Sequence, residues 1–312
     1  MRILLQFPQG LKSKALEEAA KFEKEGHEVF LSATPCWGAC DLALDEAKKL
    51  KADTLVHYGH AQFGDKKVKS GRVEIEYRLY PITVDLAALG SALPLLKPYK
   101  KLGLVTTVSH LHQLEDMKKI LREGDSGHPH EVLTTRGALA ILEGQVLGCD
   151  SSAADKLSSQ VDALVYFGGG EFHPLGIKAG KPVFAVNPYA RSAMQINDLL
   201  VRKRKKEQGM LIAALDAKSI GILVSTKSGQ FNIRAAENAK KRLLALGVPR
   251  VSILVTSEVD FSSLQDFNSF DAYLTTACPR LVDDAERAGK PMVNLAQLPK
   301  MLQMLKELKG AK

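Results

Sequence analysis

Short unbroken apolar runs alternate along this chain with stretches in which apolar residues recur every third or fourth position. Arg2 to Phe7 is the first run, closed by Pro8 and Gly10, and predicts a strand covered on both faces. Leu11, Ala15, Ala19 and Phe22 then fall at helical spacing as far as Gly26. His27 to Ala33 predicts a second strand, Ala43, Ala47 and Leu50 a helix, and Thr54 to Tyr58 a third strand ending in Gly59-His60. Val73, Ile75, Tyr77 and Leu79 alternate with polar neighbours, as in an edge or mixed strand with one wet face.

The same order then returns. Leu102 to Thr107 predicts a strand, Leu114 to Leu121 a helix, Glu131-Val-Leu-Thr the start of a second strand region, Ala163 to Phe167 a third strand and Pro182 to Val186 a fourth. A third pass runs from Ile220 to Val224 through a helix marked by Ile233, Ala236, Ala239, Leu243 and Leu244, to strands at Val251 to Val255 and Ala272 to Thr275. Repetition on this scale predicts an α/β chain of three similar small domains, 1–97, 98–205 and 206–312, each a parallel sheet flanked by helices. In such sheets ligands bind at the carboxyl ends of the strands.

Four cysteines occur, Cys36, Cys40, Cys149 and Cys278, and the last three fall in the three successive segments, each past a strand region. Three domains with their strand ends turned to one centre would bring these three thiols together. Three soft ligands leave one coordination position open, which suits an iron-sulfur cluster or a catalytic zinc. The competing reading is that they are small buried core residues, a role free cysteine fills well.

Composition narrows the field. Met1-Arg-Ile-Leu-Leu-Gln-Phe-Pro turns polar too soon for an export signal, and the longest apolar tract, Val84 to Leu96, is broken by Asp85, Gly90, Ser91 and Pro94. A cytoplasmic chain without membrane contact is expected, in which four cysteines serve metal or redox chemistry rather than disulfides. The net charge of +8 would attract acidic partners. Its densest run, Arg202-Lys-Arg-Lys-Lys206, carries no interleaved aromatic residues, so it reads as a solvated linker and no direct nucleic-acid binding is expected.

Standard motifs fail. Cys36-x-x-x-Cys40 would need a third cysteine where Ala43 stands to start the common radical iron-sulfur motif, and Gly176-Ile-Lys-Ala-Gly180-Lys181 is one residue short of a phosphate loop and runs into Pro182. Gly168-Gly-Gly170 follows a strand without continuing as a dinucleotide fingerprint. Ser225 to Gln230 could offer helix-start N–H groups to a carboxylate or phosphate, or be a plain turn with Ser228 as helix cap. His60 and His173 follow third strands in the first two repeats, either as loop hydrogen bonders or facing a central site.

Seven phrases in order carry a resemblance: Gln6-Phe-Pro-Gln-Gly10-Leu11, Gly38-Ala-Cys40-Asp41, Val56-His-Tyr-Gly-His60, Gln145-Val-Leu-Gly-Cys149, Phe172-His-Pro-Leu-Gly176, Thr226-Lys-Ser-Gly-Gln230 and Cys278-Pro-Arg280. Together they resemble the archaeal diphthamide synthesis enzyme family, 2-(3-amino-3-carboxypropyl)histidine synthase. Trp37 stands where that family more usually has tyrosine, and Gly169 where its glycine-rich turn often has aspartate. The resemblance implies a homodimer and a [4Fe-4S] cluster held by Cys40, Cys149 and Cys278, with Cys36 an auxiliary thiol near the site. It implies transfer of the 3-amino-3-carboxypropyl group of S-adenosylmethionine to a histidine of elongation factor 2, by a radical route fed by an unidentified electron donor. Candidates for substrate contacts are His60, Gly168, His173, Lys227, Gly229, Gln230 and Arg280; Arg280 and the loop Ser225 to Gln230 are candidates for holding the carboxylate or amine of the methionine part. Quinolinate synthase has a similar three-domain, three-cysteine plan and is the alternative enzyme; a cluster-carrying partner subunit is the alternative without catalysis.

Overall fold

The computed structural model describes residues 1–64, 68, 70–125 and 127–310. Its chain order places three sheets one after another, flanked by helices.

The first sheet contains β1 (Arg2–Gln6), β2 (Glu28–Leu31), β3 (Thr54–Tyr58) and β4 (Glu74–Arg78) in the order β2-β1-β3-β4, all parallel. Helices α1 (Ala15–Lys24) and α2 (Leu44–Lys49) join its strands. Leu4, Leu5, Leu55 and Val56 on β1 and β3 are fully buried, while β2 and β4 at the edges carry exposed residues. That distribution is why unbroken apolar runs mark the central strands and alternation marks β4. After the short helix α3 (Leu93–Leu96), the second sheet is built from β5 (Lys101–Thr106), β6 (Glu131–Leu133), β7 (Ala163–Phe167), β8 (Val183–Asn187) and β9 (Ser192–Gln195) in the order β6-β5-β7-β8-β9. Helices α4 (Leu114–Glu123) and α5 (Ser152–Leu157) connect its strands. The final strand β9 pairs antiparallel to β8 and had no apolar signature in the sequence.

Helix α6 (Asn197–Ala213) follows and contains Arg202 to Lys206 in its interior, so that run is helical rather than a linker. Lys203 Nζ lies 2.7 Å from Asp283 and 3.8 Å from Glu207, and Lys206 Nζ 2.9 Å from Glu286. Carboxylates distant in sequence thus offset part of the charge that made the run look solvated. The third sheet holds β10 (Ser219–Ser225), β11 (Arg250–Thr256), β12 (Ala272–Thr275) and β13 (Met292–Asn294), ordered β11-β10-β12-β13 and parallel throughout. Around it lie α7 (Ile233–Ala245), α8 (Phe261–Asp266) and α9 (Leu298–Gly310). All three sheets therefore repeat one order, second-first-third-fourth.

Contacts gather the chain into two compact units, Met1–Leu200 with the first two sheets and Val201–Lys312 with the third. The division falls within α6. No helix of the described residues is long and apolar enough to cross a membrane.

Candidate metal and substrate site

In every sheet the residues singled out in the sequence lie at or just past the carboxyl ends of strands. In the first, Gln6, the last residue of β1, is almost wholly buried at 1 % exposure. Its Nε2 donates to the Asp41 carbonyl at 2.7 Å, and its Oε1 accepts from the Ala43 N–H at 3.1 Å. One side chain thereby pins the loop after β2 over the end of β1. Within that loop Asp41 N–H closes a turn on the Gly38 carbonyl at 2.9 Å, and the Asp41 carboxylate accepts the Trp37 N–H at 3.3 Å. Cys40 is the third residue of the turn, half-buried, and Trp37 beside it is 65 % exposed.

The second sheet repeats the device. Backbone bonds from Thr106 N–H to the Gly144 carbonyl and from Val146 N–H to the Thr106 carbonyl hold residues 144–146 against the end of β5. Leu147 and Asp150 then exchange backbone hydrogen bonds across Gly148-Cys149, so Cys149 is again third in a tight turn followed by a buried aspartate. The Asp150 carboxylate accepts from Leu139 N–H at 2.6 Å, Ala140 N–H at 2.9 Å and Ser152 N–H at 3.0 Å. Burial alone would raise its pKa; the donors from Ser152, Ala140 and Leu139 outweigh burial and hold it below the usual carboxylate range. A side chain at Gly148 would overlap the Phe172 ring, which places the loop after β7 directly on the Cys149 turn.

Cys278 differs in position. It follows the third strand of its sheet, β12, where Cys40 and Cys149 follow second strands. Thr276 fixes the loop through its N–H and hydroxyl, both donating to the Leu223 carbonyl at 3.0 and 2.9 Å. Burial pushes the Cys278 thiol up, while the Arg280 N–H and the charges of Arg280 and Lys227 favour the thiolate. None of the four cysteines, all among the described residues, is in a disulfide.

These elements can be set beside known proteins. The family model for diphthamide synthesis proteins matches residues 7–311. The chain is 34 % identical over 320 residues to the 2-(3-amino-3-carboxypropyl)histidine synthase of Pyrococcus horikoshii, covering 98 % of this chain and 87 % of that one. The chain belongs to the diphthamide synthesis protein family. It is also 28 % identical to the enzyme of the same name from Methanocaldococcus jannaschii, across 93 % of this chain and 81 % of that one. A crystal structure of Dph2 from Pyrococcus horikoshii with a 4Fe-4S cluster superposes with a TM-score of 0.85 at 32 % identity, covering 97 % of this chain and 86 % of the other. Membership of the diphthamide family decides between the two enzyme families that a three-cysteine plan left open.

Within this diphthamide-family fold, the expected site residues are distributed unevenly. His60 lies beside His57, its Nδ1 3.0 Å from His57 Nε2. Gly168 donates to the Val186 carbonyl at 3.0 Å at the end of β7, and the His173 ring lies edge-on to Phe172 at 5.3 Å and parallel to Tyr166 at 6.3 Å. In the other unit, Lys227 Nζ is 2.5 Å from Glu258, and Arg280 Nε 2.6 Å from Asp283, so both cations already meet carboxylates of their own unit. The loop from Ser225 does not open a helix: Lys227 N–H bonds Ser225 Oγ at 3.2 Å and Gln230 N–H the Lys227 carbonyl at 3.0 Å, with Gly229 between them. Helix α7 starts later, capped by Asn232 accepting from Ala235 N–H at 3.3 Å, in place of the expected Ser228. The N–H groups of Lys227 and Gln230 are thus used within the loop itself.

Sequence reasoning missed Gln6, Asp41, Asp150 and His57. A signal for the aspartates existed, since Cys-Asp occurs twice, at 40–41 and 149–150. His57 was hidden inside an apolar strand, where it is 0 % exposed.

Proposed function

We propose that this chain transfers the 3-amino-3-carboxypropyl group of S-adenosylmethionine to a histidine of elongation factor 2, the first step of diphthamide synthesis. The observation carrying this reading is the near full-length match to an archaeal synthase of that name, together with the fold match to Dph2 with a 4Fe-4S cluster. The archaeal relatives are named as synthases, so the reading is that of an enzyme, a transferase. Its setting would be cytoplasmic, as a homodimer of chains that each hold three domains, supplied by an electron donor.

The donor set fits a cluster. Cys40, Cys149 and Cys278 are each half-buried on loops tied by backbone or buried side-chain hydrogen bonds to strand ends. Thiolates on pre-set loops suit iron, and three of them leave the fourth iron of a cubane for substrate. When bound, the cluster would supply an electron and an open iron for cleavage of the Cγ–S bond of the sulfonium. This chain's residues do the remaining work. Gln6 and Asp150 hold the Cys40 and Cys149 turns in place, and the Arg280 N–H favours thiolate at Cys278. Lys227 and Arg280 would receive the methionine carboxylate by exchanging it for Glu258 and Asp283. His60, Gly168, His173, Gly229 and Gln230 complete the candidate contacts.

The test is anaerobic. Reduced with dithionite and given S-adenosylmethionine and archaeal elongation factor 2, the protein should release methylthioadenosine and add the aminocarboxypropyl group to one histidine of the factor. Release of 5′-deoxyadenosine would show that the wrong bond is broken; a bound cluster with neither product would support the partner-subunit role.

A further inference from the structure

One ligand-bearing atom from each of Cys36, His57 and His60 lies within 4.8 Å of the other two. The geometry points to a second metal site here, a Cys-His-His centre for zinc, separate from the three cysteines assigned to iron. His57 Nε2 and His60 Nδ1 are 3.0 Å apart. Two imidazoles on a tetrahedral zinc at 2.0–2.1 Å would stand about 3.3 Å apart and a thiolate about 3.6 Å from each, so the two rings are already near the required spacing and the Cys36 sulfur closes in from within 4.8 Å.

The surroundings set the right nitrogen toward the ion. Gln6 Oε1 can only accept, and it lies 2.8 Å from His57 Nδ1. The His57 hydrogen is therefore on Nδ1 and its Nε2 lone pair faces His60. A metal-bound histidine characteristically donates its other N–H to such an oriented acceptor, and Gln6 is itself held by Asp41 and Ala43. Burial keeps both imidazoles neutral, lowering His57 to about 3, with His60 adding to the effect, and His60 to about 4. Binding needs no proton displaced from either ring as a whole: His60 moves its hydrogen from Nδ1 to Nε2, and the Cys36 thiol releases one proton to solvent. Thiolate with two imidazoles is a borderline-soft set that suits zinc. The bound ion would join the Cys36 end of the Cys40 loop to the carboxyl end of β3, leaving a fourth position for water.

The experiment uses the full chain with Cys40, Cys149 and Cys278 replaced by serine, which removes the iron site, and cobalt(II) as probe. One equivalent of cobalt should bind, with a thiolate-to-cobalt charge-transfer band and intense tetrahedral visible bands, and zinc should bleach both. Adding Cys36→Ser should abolish the charge-transfer band; adding His60→Ala instead should weaken cobalt binding at least about tenfold. Circular dichroism checks that each variant is folded, and in the original background Cys36→Ser should keep its iron. Failure of the triple variant to bind cobalt, or cobalt affinity left unchanged by His60→Ala, overturns the proposal. Iron in the original background is read separately, so this outcome and the failure of the cluster assignment are distinguishable.

Discussion

Gln6 Oε1 and His57 Nδ1 meet at 2.8 Å in the interior of the first sheet, and the same amide also holds the backbone of the Cys40 loop. Removing it strands the buried Asp41 carbonyl and His57 Nδ1 together with the part-buried Ala43 N–H. Gln6→Leu should destabilise the protein by about 3 kcal/mol or more, since each buried polar group left without a partner costs about 1–3 kcal/mol. Urea unfolding would measure this, and iron retention should fall in parallel because the Cys40 turn loses its anchor. Unchanged stability would mean that the network contributes nothing net.

Replacing Cys40, Cys149 or Cys278 by alanine should each remove most of the about four irons expected for one cubane per chain. Cys36→Ala should retain them. Anaerobic iron and sulfide analysis is the check; zinc in stoichiometric amount at the three cysteines, with no iron, would refute the cluster.

Lys227 and Glu258 offer a test with opposite signs. If Lys227 takes the methionine carboxylate, Lys227→Ala should weaken S-adenosylmethionine binding by about tenfold, or 1.4 kcal/mol. Glu258→Gln, which frees the Lys227 charge from its 2.5 Å partner, should tighten it. Calorimetry reads both, and Arg280→Ala should behave as Lys227→Ala does. Equal affinity in all three variants would move the carboxylate site toward residues 168–173.

The pH response of the third sheet can be read from Asp271. Its carboxylate accepts from Ser219 N–H and Lys218 N–H at 2.9 Å and from Ser219 Oγ at 3.0 Å, and these donors, Ser219 first, hold its pKa below the usual value. Because the folded pKa is depressed, the unfolded chain takes up the proton first as pH falls. The contribution is fully present above the ordinary carboxyl value near pH 4 and is lost as pH drops through the folded one. Denaturation midpoints at successive pH values should fall less steeply below pH 4 in Asp271→Asn than in the parent; parallel curves would contradict the assignment.

Much of this architecture is written in the sequence itself. A strand buried on both faces needs an unbroken apolar run, and Thr54 to Tyr58, Ala163 to Phe167 and Ala272 to Thr275 appear in the structure with those bounds. Repeated strand and helix rhythms announced the parallel sheets, and the ordered phrases around Cys40, Cys149 and Cys278 led to the family. Local chemistry suffices for such features, because backbone periodicity and a side chain's own type carry them.

What only the tertiary structure decided depends on partners far apart in sequence. Arg202 to Lys206 lies in a helix interior, with Asp283 and Glu286 brought against its lysines. Lys227 and Arg280 turned out to be ion-paired, and the cap of α7 is Asn232, past a loop in which Lys227 and Gln230 N–H close turns of their own. The third strand of the first sheet sets His57 and His60 against Cys36, some twenty residues earlier in the chain, with Gln6 selecting the tautomer. Hydrogen bonding and ion pairing act over about 3–4 Å in space and are indifferent to sequence distance. Strand pairing chose those neighbours, and with them the chemistry available at each strand end.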